Sequence, residues 1–405
     1  MAELNNAIFA DLHIHSRFSR ACSKNINFEN LVKWAKIKGL NLLGTGDFTH
    51  PVWFNEIKEK LNDNGKGFYY FEGFPFIITG EVSLIYTQER GRRIHLVLLV
   101  PSIEIAEKIN SYFDTKGRRD YDGRPIFKIP GDEFVKSMME ISKDIEIICA
   151  HAWTPWFGVF GSMSGFDSLK ECFKAQVEHI HAIETGISST PEMNWKIKEL
   201  ENKAILSFSD AHSFWPFRLG REATIFQKCN SYNEIIRQIR ENDFIATIET
   251  DPAYGKYHWD GHRLCSFSCS PENTKELNGV CPVCKKDLII GVENRVEQLS
   301  SSDSNHKTRK KYYTLLPLHE LIGLAFKTNM QSKKAWQVYN SLIERFNNEF
   351  NILLNVSRED LIKENIDAKL IGLIMKNRSG NIRVKPGFDG VYGVAEIGEK
   401  QKTLF

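Results

Sequence analysis

Six short apolar runs in the first 210 residues each end on a histidine or a carboxylate, and few folds can use such a pattern. Asp11, His13 and His15 close the run 8–13, Asp47 and His50 follow 40–44, and Glu81 closes 76–81. His151 follows 145–150, Glu184 closes 182–184, and Asp210 and His212 follow 204–209. In Phe9-Ala-Asp-Leu-His-Ile-His-Ser16 the polar residues alternate with apolar ones, so at strand spacing Asp11, His13 and His15 leave one face. Amphipathic segments at 28–38, 103–113, 131–141, 166–173, 191–202 and 232–241 separate the runs, and further strands are expected at 94–100 and 223–226. That alternation is the signature of repeated βα units. Seven or eight units in roughly 250 residues is the size of a closed βα barrel, whose C-terminal strand ends converge on one mouth. The alternative, a doubly wound open sheet, lacks its Gly-x-Gly-x-x-Gly loop after the first strand.

Imidazole and carboxylate are the side chains that divalent Zn, Mn or Fe ions accept. Each such residue alone has a structural explanation, but their joint placement at strand ends reads as a multinuclear metal site. His95 precedes its run, and the turn Glu89-Arg-Gly-Arg92 is read as a hairpin that folds it back toward Glu81.

With 405 residues and 42% hydrophobic content, the chain can bury one large core and carry smaller modules. The expected division is a barrel over 1–255, a metal module over 256–300 and a mainly helical domain over 301–405. Net charge is +2, yet residues 256–405 hold 23 Lys+Arg against 17 Asp+Glu, so the basic excess lies in the last third, where it fits contact with a polyanion. No run of about 18 apolar residues is present to span a membrane, and the N-terminus lacks the regions of a signal peptide, so a soluble cytoplasmic protein is expected.

Four of the eight cysteines fall close together. His262-Arg-Leu-Cys265 and Cys281-Pro-Val-Cys284 form two knuckles with two-residue gaps, the pattern of one closed, structural zinc. The fourth ligand is His262, by the symmetry of the knuckles, or Cys269. A module this small has little core, so its metal supplies most of its folding free energy. Beyond it, 300–311 reads as an exposed basic loop, and helices are expected at 318–326, 333–346 and 358–364. The stretch 375–393 reads as a short basic hairpin whose Arg383 and Lys385 can grip a nucleic-acid backbone.

Asp11-Leu-His13-Ile-His15-Ser, Thr45-Gly-Asp47, Glu81, His95, His151 and Ser209-Asp210-Ala-His212 together resemble the polymerase-and-histidinol-phosphatase (PHP) metallohydrolases, over residues 7 to 250. The resemblance implies a distorted (β/α)7 barrel that binds two or three divalent ions (Zn, Mn, Mg or Fe) and cleaves phosphoesters. It implies that His13, His15, Glu81 and Asp210 hold one ion, that Glu81, His95 and His151 hold a second, and that Asp210, Glu81 and His151 serve catalysis. A third ion would use His212 and a residue of the Asp47–His50 loop, where the family's usual Asp-His pair is here Asp47-Phe48. Ions so placed remove the need for a protein nucleophile. Neither a Gly-x-x-x-x-Gly-Lys loop nor a Gly-x-Ser-x-Gly elbow is present.

Followed by a cysteine-rich insert, Ile290-Gly-Val-Glu-Asn-Arg-Val-Glu-Gln-Leu299 and a basic helical tail, the barrel is similar to the endonuclease Q family along nearly the whole chain. That similarity implies a DNA repair endonuclease cutting 5′ to deaminated bases (uracil, hypoxanthine) or abasic sites, with damaged DNA as partner and no membrane. A nuclease of this kind flips the damaged nucleotide into a pocket. Trp153, Trp156, Phe157 and Ser162, just after His151, are expected to contact it. The alternative, a small-molecule phosphatase of the histidinol-phosphatase type, leaves the zinc module and basic tail unexplained.

Overall fold

The computed structural model describes residue 4, residues 6–305 and residues 309–396. Residues 306–308 of the basic loop and the last nine residues of the helical region therefore lie outside the described residues. Seven strands form the frame: β1 (Ile8–Asp11), β2 (Leu42–Gly44), β3 (Phe74–Gln88), β4 (Arg90–Val100), β5 (Glu146–Cys149), β6 (Ala182–Glu184) and β7 (Ala204–Leu206). They lie side by side in chain order. β1, β2 and β3 run parallel, as do β5, β6 and β7, while β4 runs against both its neighbours. The reversal is the hairpin read from Glu89-Arg-Gly-Arg92. Its register sets His95 opposite Ser83 and places Glu81 opposite Val97, so both polar residues enter the same end of the sheet.

The sheet curls until β7 approaches β1. Between them the ladder is reduced to one parallel bridge, Ile14 with Ala211, and the bond from Ser209 N–H to Asp11 Oδ1 at 3.0 Å. β8 (Ala223–Phe226) and β9 (Ala246–Glu249) continue from the other edge of β1, antiparallel. Side chains close the remaining gap: Ser207 N–H donates to Thr224 Oγ1 at 3.1 Å, and Ser207 Oγ donates to Ile248 O at 2.9 Å. The result is a curled mixed sheet rather than a ring of parallel strands, and its strands are buried on both faces.

Helices cover the outside with local signals that the sequence carries. Helix Phe28–Lys38 starts on Asn27, whose side chain accepts from Asn30 N–H, and stops at Gly39 with φ +101°. Gly39 has little alternative, because a Cβ there would lie 2.6 Å from Asn348 Oδ1. Helix Pro51–Lys60, absent from the sequence reading, is signalled by proline at its first turn and buries Trp53, Phe54 and Ile57. The helix expected over 191–202 ends at Asn194, because the Asn194 side chain is drawn inward and Ile197 adopts an extended conformation.

After residue 301 the chain first returns to the sheet. Lys311–Thr314, whose first residue closes the stretch read as an exposed loop, forms β10, parallel to β9. Only then does it turn helical, at Leu318–Phe326, Lys333–Phe346, Glu349–Leu354, Arg358–Lys363 and Ala368–Arg378. A hairpin of Arg383–Lys385 with Val394–Glu396 follows. The helical region is sealed to the barrel by a cluster of Trp34, Trp215 and Trp336, with ring centroids 5.2–5.5 Å apart. Beneath it lies a buried ion pair, Lys38 Nζ to Glu349 Oε1 at 2.7 Å. The knuckle region forms its own hairpin, Asp260–His262 with Phe267–Cys269.

Candidate metal centre

Polar side chains from β1, β3, β4, β5 and β7 meet at one end of the curled sheet. Asp47, His151 and Asp210 each stand where the chain leaves a strand, with φ of +43°, +29° and +48°. Left-handed backbone is unfavourable for residues with a Cβ, though least so for Asp, Asn and His, and it is a recurrent mark of functional sites. Here it turns each side chain inward instead of along the following helix or loop.

Two donor groups result, each with ligand atoms within 4.8 Å of one another: His13, His15, Glu81 and Asp210, and Glu81, His95 and His151. His15 Nε2 lies 2.9 Å from Asp210 Oδ1 and 3.2 Å from Glu81 Oε2. On the other side, His95 Nδ1 and His151 Nε2 lie 2.8 and 3.2 Å from Glu81 Oε1. Glu81 thus presents one oxygen to each group. His13 Nε2 is buried without any hydrogen bond, 3.6 Å from both Glu81 Oε2 and Asp210 Oδ1. Buried polar atoms are normally satisfied. A ring nitrogen too far from two carboxylate oxygens to bond them, yet aimed between them, is a coordination position, so these residues fit a divalent cation.

The remaining carboxylates expected as ligands are committed elsewhere. Glu184 faces His13 Nδ1 at 3.0 Å and accepts from His151 N–H at 2.8 Å. Asp47 faces His15 Nδ1 at 2.9 Å and accepts from Ser16 N–H, Ser16 Oγ and Ser19 Oγ. Asp11 accepts from Ser209 and from Gly220 N–H. The first two orient the histidines beside them, and Asp11 holds backbone together. His50 stacks on Phe18 at 4.2 Å and points to Asp120 O, outside both groups. His212 stands at the rim, its ring 4.6 Å from His15.

Electrostatics follow from the crowd of carboxylates. Burial opposes charge on His13 and His15, but Glu184, Asp210 and Glu81 around the first, and Asp47, Asp210 and Glu81 around the second, hold both rings protonated well above the usual range. His95 is the reverse case: burial outweighs Glu81 and brings it down to about 4. Burial pushes the Asp11 carboxyl up to about 6, even with three donors on it. Two imidazoles loaded with protons in a buried acidic pocket are positions that a cation can take over.

A second constellation lies apart. His262 Nδ1 is 3.1 Å from Cys265 Sγ and 3.3 Å from Cys284 Sγ, and these three join Cys281 in one four-donor group. Cys269 instead meets Thr274 Oγ1 at 3.2 Å, outside the group that contains His262. Burial acts against ionisation of Cys281, but N–H groups of Cys284 and Val283 prevail and bring it down to about 7, suited to a thiolate ligand.

Among the residues expected to touch substrate, Trp153 requires correction. It is fully buried, stacked on Phe160 at 4.8 Å, and donates from Nε1 to Asn194 Oδ1 at 2.7 Å, so it supports the loop from beneath. Ser162 is likewise occupied, its hydroxyl donating to Ile290 O at 2.8 Å and tying this loop to the segment after the knuckles. Trp156 is 37% exposed, with the Arg93 guanidinium 5.6 Å from its ring. Phe157, at φ +70°, packs 4.3 Å from His95. Arg383 and Lys385 are exposed on the terminal hairpin, away from the donor groups. Arg124 escaped the sequence reading. It reaches Glu81 Oε2 with Nη1 at 2.9 Å from Gly123-Arg124-Pro125, whose only sequence signal is a long polar loop with three arginines.

Residues 317–381 match the MJ0043 C-terminal domain family. The uncharacterized protein MJ0043 of Methanocaldococcus jannaschii is 32% identical over 72% of this chain, which spans 38% of the length of that protein. The uncharacterized protein YqxK of Bacillus subtilis is 25% identical over 95% of this chain and 98% of its own. Among solved structures, the lesion-specific endonuclease PfuEndoQ from Pyrococcus furiosus superposes with a TM-score of 0.87 and 30% identity, over 97% of this chain and 96% of that one. Endonuclease Q in complex with a 27-mer duplex substrate with an abasic lesion at the active site superposes equally well, at 30% identity over 97% of each chain.

Proposed function

Because the chain belongs to the endonuclease Q family, we propose that it is a DNA repair endonuclease, hydrolysing the phosphodiester 5′ to a deaminated base or an abasic site. The observation that carries this reading is the pair of donor groups joined through Glu81, in a chain alike over 97% of its length to an enzyme with a lesion duplex at its active site. In this reading His13, His15, Glu81 and Asp210 hold one divalent ion and Glu81, His95 and His151 a second. His262, Cys265, Cys281 and Cys284 hold a structural zinc. Two ions are assigned to the barrel, because both side chains of the Asp47–His50 loop that a third could use are turned elsewhere, Asp47 to His15, Ser16 and Ser19 and His50 to Asp120 O.

When bound, a pair of divalent ions activates water at neutral pH and stabilises charge on the phosphoryl oxygens. The protein's own part is placement. Glu184 and Asp47 fix the ring planes of His13 and His15, and Phe157 walls off His95 from solvent. Trp156 offers its exposed face to a base, and Arg383 and Lys385 meet the DNA backbone without reading sequence. No helix among the described residues is long and apolar enough to cross a membrane. A genome-repair role places the enzyme in the cytoplasm with its DNA.

The test is incubation of purified protein with Mn or Mg and end-labelled duplexes carrying a single uracil, hypoxanthine or abasic site. Nicking on the 5′ side of the lesion is expected, and undamaged duplex should stay intact. Turnover of a small phosphomonoester with every duplex left whole would establish the phosphatase alternative instead.

A further inference from the structure

The geometry points to Arg124 as a further catalytic residue, one that binds a non-bridging oxygen of the scissile phosphate. This inference rests on the nuclease reading above. A rigid approach brings the arginine to the site. Gly123 runs so close to the residues around the donor groups that a Cβ would lie 2.2 Å from Asp47 Oδ2 and 2.3 Å from Ser19 Oγ. Gly123 N–H donates to Phe18 O at 3.1 Å, and Thr49 Oγ1 donates to Gly123 O at 3.0 Å. Beyond it, Arg124 N–H donates to Asp122 Oδ1 at 3.1 Å, and Ser83 N–H donates to Pro125 O at 3.0 Å. Asp122 is itself held by Arg20 at 3.2 Å. The segment is therefore stitched to the loops after β1 and β2 and to β3, and Arg124 is its one long side chain facing the donor groups.

A guanidinium has five N–H donors in a planar fork. Arg124 uses one. Nη1 meets Glu81 Oε2 at 2.9 Å, the same oxygen that faces His15 Nε2 at 3.2 Å and His13 Nε2 at 3.6 Å. The side chain is 26% exposed, so part of the fork stays open to solvent beside Glu81. A guanidinium present only to neutralise Glu81 would be expected to pair with both carboxylate oxygens and to be closed off. This one is held at a single corner, beside both donor groups, with a free edge of the shape that matches a phosphate.

Hydrolysis forms a bond from the water oxygen to phosphorus and breaks the bond from phosphorus to the leaving sugar oxygen, which takes up a proton from the water. Charge accumulates meanwhile on the non-bridging oxygens, where a fixed cationic donor is most effective. Arg124 stays protonated throughout, and Glu81 is its positioning residue.

The experiment has a kinetic and a binding arm. With metal-loaded protein and a uracil duplex, Arg124→Ala should lower kcat about 100- to 1000-fold, the usual loss for one such donor. Metal content should stay unchanged, Arg124→Lys should recover part of the rate, and added guanidinium should rescue the alanine variant but not wild type. With Ca in place of Mn or Mg to hold turnover, a neutral methylphosphonate at the scissile position should weaken wild-type binding about tenfold more than it weakens Arg124→Ala binding. Wild-type protein needs no variant to fold for its half of that comparison. Equal methylphosphonate losses in both proteins, a rate within twofold of wild type, or loss of metal in Arg124→Ala would overturn the assignment while leaving the nuclease reading in place. Failure of wild type to nick any lesion duplex would overturn both.

Discussion

Replacing Lys38 with methionine should unfasten the helical region from the barrel, and the cost can be worked from the contacts. Lys38 is 1% exposed at the end of its helix, and its ammonium donates to Glu349 Oε1 at 2.7 Å and Pro216 O at 2.8 Å. Glu349, fully buried, also accepts from Leu318 N–H at 3.0 Å and Tyr339 OH at 2.9 Å. Removing one partner of a buried ion pair costs about 3–5 kcal/mol, because the other charge stays in place uncompensated. Glu349 keeps two neutral donors, so the lower end, about 3 kcal/mol, is expected. In Lys38→Met with Glu349→Gln no charge remains, and only the bond to Pro216 O is lost without replacement, which leaves about 1 kcal/mol. Glu349→Gln should therefore recover about 2 kcal/mol of what Lys38→Met loses.

Denaturant unfolding followed by tryptophan fluorescence reads this seam directly, since Trp34, Trp215 and Trp336 sit on it. A single mutant within about 0.5 kcal/mol of wild type, or a double mutant no more stable than the sum of the singles, would refute the argument. The consequence reaches the metal centre. Pro216 belongs to the segment between Asp210 and Gly220, which Asp11 holds on both sides, at Ser209 and at Gly220, and which Lys38 holds near its middle.

Binding of the first barrel ion should strengthen as pH rises through and beyond the usual imidazole range, by up to tenfold per unit for each proton displaced, because the metal must replace protons that carboxylates hold on His13 and His15. Calorimetry at pH 7 in two buffers of different ionisation enthalpy should show proton release, and none would contradict the protonated resting state. Cys281→Ser should remove about one zinc per chain, by elemental analysis, and destabilise the knuckle hairpin; a fully zinc-loaded, equally stable variant would deny the structural role. Trp156→Ala should weaken lesion duplex by about 1–3 kcal/mol and plain duplex much less. Arg383→Ala with Lys385→Ala should weaken both alike and flatten the salt dependence, as backbone contacts do. Equal losses on the two duplexes for Trp156→Ala would leave it a packing residue.

Strand ends were legible because a two-residue period shows which side chains share a face, and a curled sheet brings those ends together wherever they stand in the chain. The same rule fails on depth. Asp11 shares its face with His13 and His15, but at about 3.3 Å per residue it lies roughly 6.6 Å further down than His13. There it meets backbone N–H groups of Ser209 and Gly220 rather than the donor groups. Asp47 and Glu184 are indistinguishable from ligands by residue type and position. Only the direction their oxygens take, toward the far nitrogens of His15 and His13, makes them supports. β10 is hard to read for another reason: Tyr312, Tyr313 and Thr314 favour a strand, but the run is only four residues long and its partner β9 lies far upstream.

Trp153 and Trp156 show the limit most sharply. Three residues apart on one aromatic loop, they have the same chemistry in sequence, and what separates them is the inward bond from Trp153 to Asn194. Arg124 completes the point from the other side. It follows no strand and belongs to no repeat, and it reaches the metal centre only because Gly123 leaves room for the backbone between Asp47 and Ser19. Residues that converge by periodicity can be read along a chain, whereas residues that arrive by close backbone packing become visible only once the fold has brought the loops together.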